Sequence, residues 1–196
     1  MPPPSAGAET EALLACLKAQ REHVLGILAG LDEDALRRPV LPSGWSCLGL
    51  VRHLAHCERF WFRCVIAGEP DAISGLGDVG NAWRVAADVP AGAVLDLYRR
   101  EAERADAIIA ATRPDAGPAW WPTDLFGDWR LDDVREVVLH MITETACHAG
   151  HLDAARELID GRTWLVLPVQ PTGPPRRRSP AGSARGRPAG LRPAGS

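Results

Sequence analysis

Apolar residues recur along most of this chain at intervals of three, four and seven, the pattern of helices that bury one face. The first run covers residues 9–31, where Leu13, Leu14, Leu17, Val24, Leu25 and Leu28 share a stripe. Residues 32–38 allow a short helical turn before Pro39, and residues 41–44 read as a connector. Ser46 can accept a hydrogen bond from the first turn of a second helix over 47–67, which Gly68 closes. Residues 68–88 are rich in Gly and Asp and only weakly periodic, so they read as a long crossover loop. Asp88 then caps a third helix with Pro90 in its first turn. That helix carries Val94, Leu95, Tyr98, Ala102, Ala105, Ile108 and Ile109 and fades by Thr112. A second loop over 113–130 holds Trp120, Trp121 and Trp129. Asp132 or Asp133 opens a fourth helix that runs to Asp160 and stops at Gly161.

No segment carries a strand signal of any length. Four long amphipathic helices predict an all-α fold, a four-helix bundle. The crossover between the second and third helices is long enough to traverse the bundle, so simple up-down-up-down order is not required. The bundle is expected over residues 9–163. Beyond it, residues 164–196 form a Pro/Gly/Arg-rich tail; from Pro168 on it holds seven prolines, five glycines and six arginines. Such a composition buries too little apolar surface to offset chain entropy, and a disordered tail is expected.

Composition narrows the function classes. With 196 residues and 46% hydrophobic content, the chain suits one domain with a packed core. Its net charge is −3, yet the tail has six arginines and no acid, so the body is distinctly acidic. An acidic body is a poor grip for phosphate backbones, and nucleic-acid binding would have to rest on the tail. No apolar run approaches the ~18 residues of a membrane span. The opening Met-Pro-Pro-Pro-Ser lacks a secretory pattern, and a cytoplasmic location is the expectation. Five cysteines, none in a C-x-x-C pair, read as reduced and mostly buried thiols. Cys147 reads as packing rather than as a nucleophile.

The chemistry concentrates in His140-Met-Ile-Thr-Glu144-Thr-Ala-Cys-His148-Ala-Gly-His151. A helix turns ~100° per residue, so Glu144, His148 and His151 fall within ~80° of His140. Val134, Val137, Met141, Leu152, Ala155 and Ile159 overlap this arc. Polar groups brought partly indoors need partners, because an unpaired one costs roughly 1–3 kcal/mol. On the second helix His53 borders the buried stripe of Leu50, Leu54, Trp61 and Cys64, whereas His56 turns toward solvent or a neighbouring helix. Glu144 and His148, at i and i+4, can reach one ion, and His53 would close a facial triad. Two histidines and a carboxylate suit Zn²⁺, Fe²⁺ or Ni²⁺ and leave coordination positions open. The same residues could also form a hydrogen-bonded cluster of core histidines or a solvated helix face. Glu58 reads either as a support for a liganding histidine or as a surface ion pair, and His23 as a surface residue. The tryptophans read as core or lid packing before a substrate box.

Two stretches carry a resemblance. Gly44-Trp-Ser-Cys-Leu-Gly-Leu-Val-Arg-His53-Leu-Ala-His-Cys-Glu58-Arg-Phe-Trp61, together with the segment from His140 to Gly161, resembles the DinB-like superfamily. It is most similar to the actinobacterial mini-circle protein branch and to mycothiol-dependent maleylpyruvate isomerase domains. The resemblance implies a four-helix bundle, often dimeric, that holds a divalent metal through His53, Glu144 and His148. Cys147 stands where relatives of that branch commonly carry arginine. The implied activity is a thiol-dependent S-transferase or isomerase, with zinc first and nickel or iron as alternatives. Mycothiol would be the cosubstrate and a small electrophile the partner. His151 or His140 would orient water or carry a proton. A metal-dependent hydrolase on the same ligands, and a non-catalytic stress-linked binding or dimerisation module, are the competing readings.

Overall fold

The computed structural model describes residues 6–75 and 83–165. The first long helix, α1 (Ala6–Leu28), ends three residues earlier than its periodicity predicts, and Gly30 turns the chain at a φ of 80°. Asp32 caps the short α2 (Glu33–Arg37) by accepting from the Ala35 N–H. Ser46 caps α3 (Cys47–Glu58), its hydroxyl accepting from the Gly49 N–H at 3.1 Å. The same rod then continues as a π-helical segment, Arg59–Ile66, in which Trp61, Phe62, Cys64, Val65 and Ile66 are all buried. The change of winding at Glu58 has no signature in the hydrophobic pattern. A 3₁₀ segment, Pro70–Gly75, follows.

The next helix, α4 (Ala91–Ala111), corrects the expected start. Pro90 occupies the cap position rather than the first turn, and Asp88 does not cap it. Glu33 of α2 does so instead, both carboxylate oxygens accepting from the Ala91 N–H at 3.1 Å. A short α5 (Thr123–Phe126) interrupts the second loop. For α6 (Val134–Asp160), Asp133 accepts from the Glu136 N–H and Glu136 accepts from the Asp132 N–H. This reciprocal arrangement satisfies orphan donors at the start. Gly161 ends the helix at a φ of 77°, in the left-handed region.

The chain is all-α, with no strand among the described residues. The long helices pack as a ring in which α1 lies on α6, α6 on α3, α3 on α4, and α4 on α1. Two core clusters fix their directions. The N-terminal parts of α3 and α4 (Leu48, Val51, Ala91, Val94) pack with the C-terminal parts of α1 and α6 (Val24, Ile27, Leu152, Ala155). At the other end Trp61, Phe62 and Val65 pack with Ala105, Ile109, Val134 and Val137. Helices α3 and α4 are therefore parallel and oppose α1 and α6. Parallel neighbours need a connection spanning the rod, roughly 30 Å for twenty helical residues. The expected crossover after α3 meets that need. Part of it, residues 76–82, lies outside the described residues, as does the expected tail from residue 166 onward.

No described helix is long and apolar enough to cross a membrane. The cysteines are free, but only Cys47 and Cys64 are buried; Cys57 is half-buried, and Cys16 and Cys147 are exposed. The expectation of mostly buried thiols is corrected accordingly. Cys147 does not pack inward, because it sits ~100° from its neighbour His148 around α6.

Candidate metal centre

Helices α3 and α6 are ring neighbours, and this brings His53 against Glu144 and His148. One carboxylate oxygen organises the group. His53 Nε2 lies 3.2 Å from Glu144 Oε1, and His148 Nε2 lies 3.0 Å from the same atom. The three ligand-capable atoms fall within 4.8 Å of one another. Their side chains are 19%, 29% and 12% exposed for His53, Glu144 and His148, so the cluster is sheltered but reachable. The hydrogen bonds to His148 and His53 hold the Glu144 carboxyl well below the usual carboxylate range, against the opposing effect of burial. Two imidazole nitrogens and a carboxylate converging on one point form a donor set for a divalent cation with open positions, and the residues present fit such an ion.

Further residues surround the three. The Trp83 indole stacks on His53 at 4.1 Å between centroids and 14° between planes, and meets His148 edge-on at 5.4 Å. Gly49 permits that placement, since a Cβ there would stand 2.1 Å from the Trp83 carbonyl oxygen. Cys57, one helical turn after His53, has its sulfur 3.5 Å from His53 Nε2. Burial pushes the Cys57 thiol pKa up, and the charge of Glu144 adds to the effect. Neither Trp83 nor Cys57 belongs to the centre that the sequence predicts. Cys57 was within reach of the i, i+4 rule applied to Glu144 and His148; a loop tryptophan had no local signal.

The other histidines separate in role. His151 is exposed, and its Nδ1 lies 3.3 Å from His148 Nδ1, on the ring edge opposite to the atom that faces Glu144. His140 does not join the cluster. It packs against Trp61 at 4.7 Å and Trp129 at 5.8 Å, and burial lowers its pKa while Glu144 pulls the other way. His56 turns to the neighbouring helix, not to solvent: it is buried, and burial with the nearby Arg52 and Arg59 charges pushes its pKa down to about 4.

Glu58 takes neither role expected of it. It is fully buried, and both of its oxygens accept from Arg21 of α1 at 2.7 Å. Arg21 donates also to Asp106 of α4 at 2.7 Å. The ion pair crosses the bundle between diagonal helices, a placement that the local pattern around Glu58 does not encode.

A family model described as mycothiol-S-transferase matches residues 12–161, and the chain belongs to that family, a DinB-like one. No curated protein and no solved structure matches the chain.

Proposed function

We propose that this member of the mycothiol-S-transferase family is a divalent-metal-dependent enzyme joining a small thiol, mycothiol or a close analogue, to a small electrophile. His53, Glu144 and His148 would hold the ion, zinc before nickel or iron. The observation that carries this reading is the convergence of two imidazoles on one carboxylate oxygen, with no lysine or arginine paired to that carboxylate among the described residues. A divalent cation bound there supplies Lewis-acid stabilisation that brings a coordinated thiol's pKa down toward neutrality.

The chain's own residues do the rest. Glu144 bridges the two histidines and keeps both Nε2 atoms aimed inward. His151 buttresses His148 through the opposite ring edge and, being exposed, is our assignment for proton transfer between site and solvent. Trp83 lies flat on His53 and keeps bulk water off that face. His140, among aromatic rings and with its pKa lowered by burial, suits hydrogen bonding to a substrate on the Trp61 side. An isomerase of the maleylpyruvate type is the sister reading. The two differ in whether the thiol is consumed or returned.

Elemental analysis of the untagged full chain, paired with thiol-consumption assays, tests the proposal. The expected result is one divalent ion per chain and metal-dependent loss of thiol in the presence of an electrophile, both absent in Glu144→Gln. A chain that takes up no divalent ion after reconstitution overturns it.

A further inference from the structure

A cavity of about 1100 Å³ is linked to the metal centre through one lining residue, Trp83, which packs on His53. Trp83, whose indole stacks on His53, is among the lining residues, as is Trp45, whose ring lies 6.4 Å from that of His151. In a chain with a distinctly acidic body, the described lining residues include Arg37, Arg52 and Arg84 and no Asp or Glu. Two of these arginines build the wall. Arg37 donates to Glu33 and to the Ala86 and Val89 carbonyls, and Arg52 donates to the Arg84 carbonyl at 2.7 Å. Together they pin residues 84–89 onto α2 and α3. The Arg84 side chain itself is exposed and has no partner among the described residues.

A concavity whose described lining includes the exposed Arg84 guanidinium and no carboxylate presents a positive charge to whatever enters. A guanidinium fork matches a carboxylate in geometry, and flanking indoles match a flat apolar body. We infer that this cavity receives an aromatic electrophile bearing a carboxylate, with Arg84 as the specificity-determining residue and Trp83 as the surface that leads its reactive carbon to the metal centre. This deepens the transferase reading and rests on it for the chemical step. In that step the thiolate sulfur attacks the ring carbon bearing a halide. A carbon–sulfur bond forms, the carbon–chlorine bond breaks, chloride leaves, and the thiol proton passes to solvent.

Two measurements on the zinc-loaded full chain decide it. In the first, benzoate and benzamide are titrated against tryptophan fluorescence. Benzoate should saturate and bind about tenfold more tightly than benzamide, a gap in line with one hydrogen bond to a charged group. Arg84→Gln should abolish that gap. In the second, 4-chloro-3,5-dinitrobenzoate and its benzamide counterpart are compared as electrophiles with mycothiol. The acid should have about tenfold higher kcat/KM, the preference should collapse in Arg84→Gln, and benzoate should compete with the electrophile and not with the thiol. Equal kcat/KM for the pair without benzoate binding overturns the inference and leaves the transferase reading intact. Saturable, Arg84-dependent benzoate binding with no thiol consumed keeps the cavity as an anion site and overturns the transferase reading, and with it the assignment of an electrophile. Benzoate binding indifferent to Arg84→Gln overturns the specificity assignment.

Discussion

Glu58 and Glu144 are two carboxylates drawn into the same bundle, each met by nitrogen atoms from another helix, and they differ in what neutralises them. Glu58 faces Arg21, which brings a permanent positive charge and fills both oxygens at 2.7 Å. The pair is closed: Glu58 has essentially no exposed surface, and the remaining guanidinium nitrogen Nη1 is taken by Asp106. Glu144 faces two imidazoles that share one of its oxygens at 3.0 and 3.2 Å, and it is partly open to solvent. An imidazole, unlike a guanidinium, is not a permanent cation, so this carboxylate is met by ring nitrogens that can exchange a proton or take a metal. Where the chain supplies its own cation, the result is a strut between helices. Where it supplies only donors around a carboxylate, the cation must come from outside, as a proton or as a metal.

That contrast can be broken from either side. Arg21→Met should cost about 3–5 kcal/mol of unfolding free energy in a urea titration, because it strands a buried carboxylate. Arg21→Met combined with Glu58→Leu should lose clearly less, since no charge is then left unpaired. Glu144→Gln should behave in the opposite way. Apoprotein stability should fall less than in Arg21→Met, because the group is partly open to solvent, while zinc affinity by isothermal titration falls at least ~100-fold, about 2.7 kcal/mol. The rise in Tm expected when zinc is added to the parent chain should vanish with it.

His56 lies on α3 between the two systems and sharpens the comparison by pH. Its pKa is pushed from 6.5 in the free side chain to about 4 in the folded protein, chiefly by burial. The folded state therefore binds fewer protons at this group than the unfolded state does in that window. The associated stability is complete above pH 6.5 and is lost as pH falls toward about 4. His56→Leu should flatten the dependence of Tm on pH across that interval. The smallest effect is expected for Ser46→Ala, which removes the α3 cap. It should cost about 1 kcal/mol and leave zinc stoichiometry unchanged, since α3 carries both His53 and Glu58 but keeps its register.

The proximity of His53, Glu144 and His148 is largely legible in the sequence. Glu144 and His148 share a face because they are four residues apart on a helix. The buried stripe of α3 placed His53 inward through the same arithmetic. Caps at Ser46 and Asp133 and the stop at Gly161 are local chemistry, and they fell where the sequence suggested. The start of α4 differs from the local pattern because its capping carboxylate, Glu33, comes from 58 residues earlier in the chain. His140 shares an arc of α6 with Glu144, yet it meets Trp61 and Trp129 rather than the cluster.

Sequence alone determined the helices, the arc of α6 that bears the polar groups, and the pairing of residue types that can bind a cation, because each depends on neighbours within about one helical turn. Tertiary structure decided that α1 and α3 stand diagonal, so that Arg21 reaches Glu58. It also decided that Gly49 admits the Trp83 backbone, so that an indole covers His53, and that arginines distant in the chain line one cavity. Those outcomes depend on which faces meet and how the crossover returns. Periodicity within a helix carries no record of the helix it will touch.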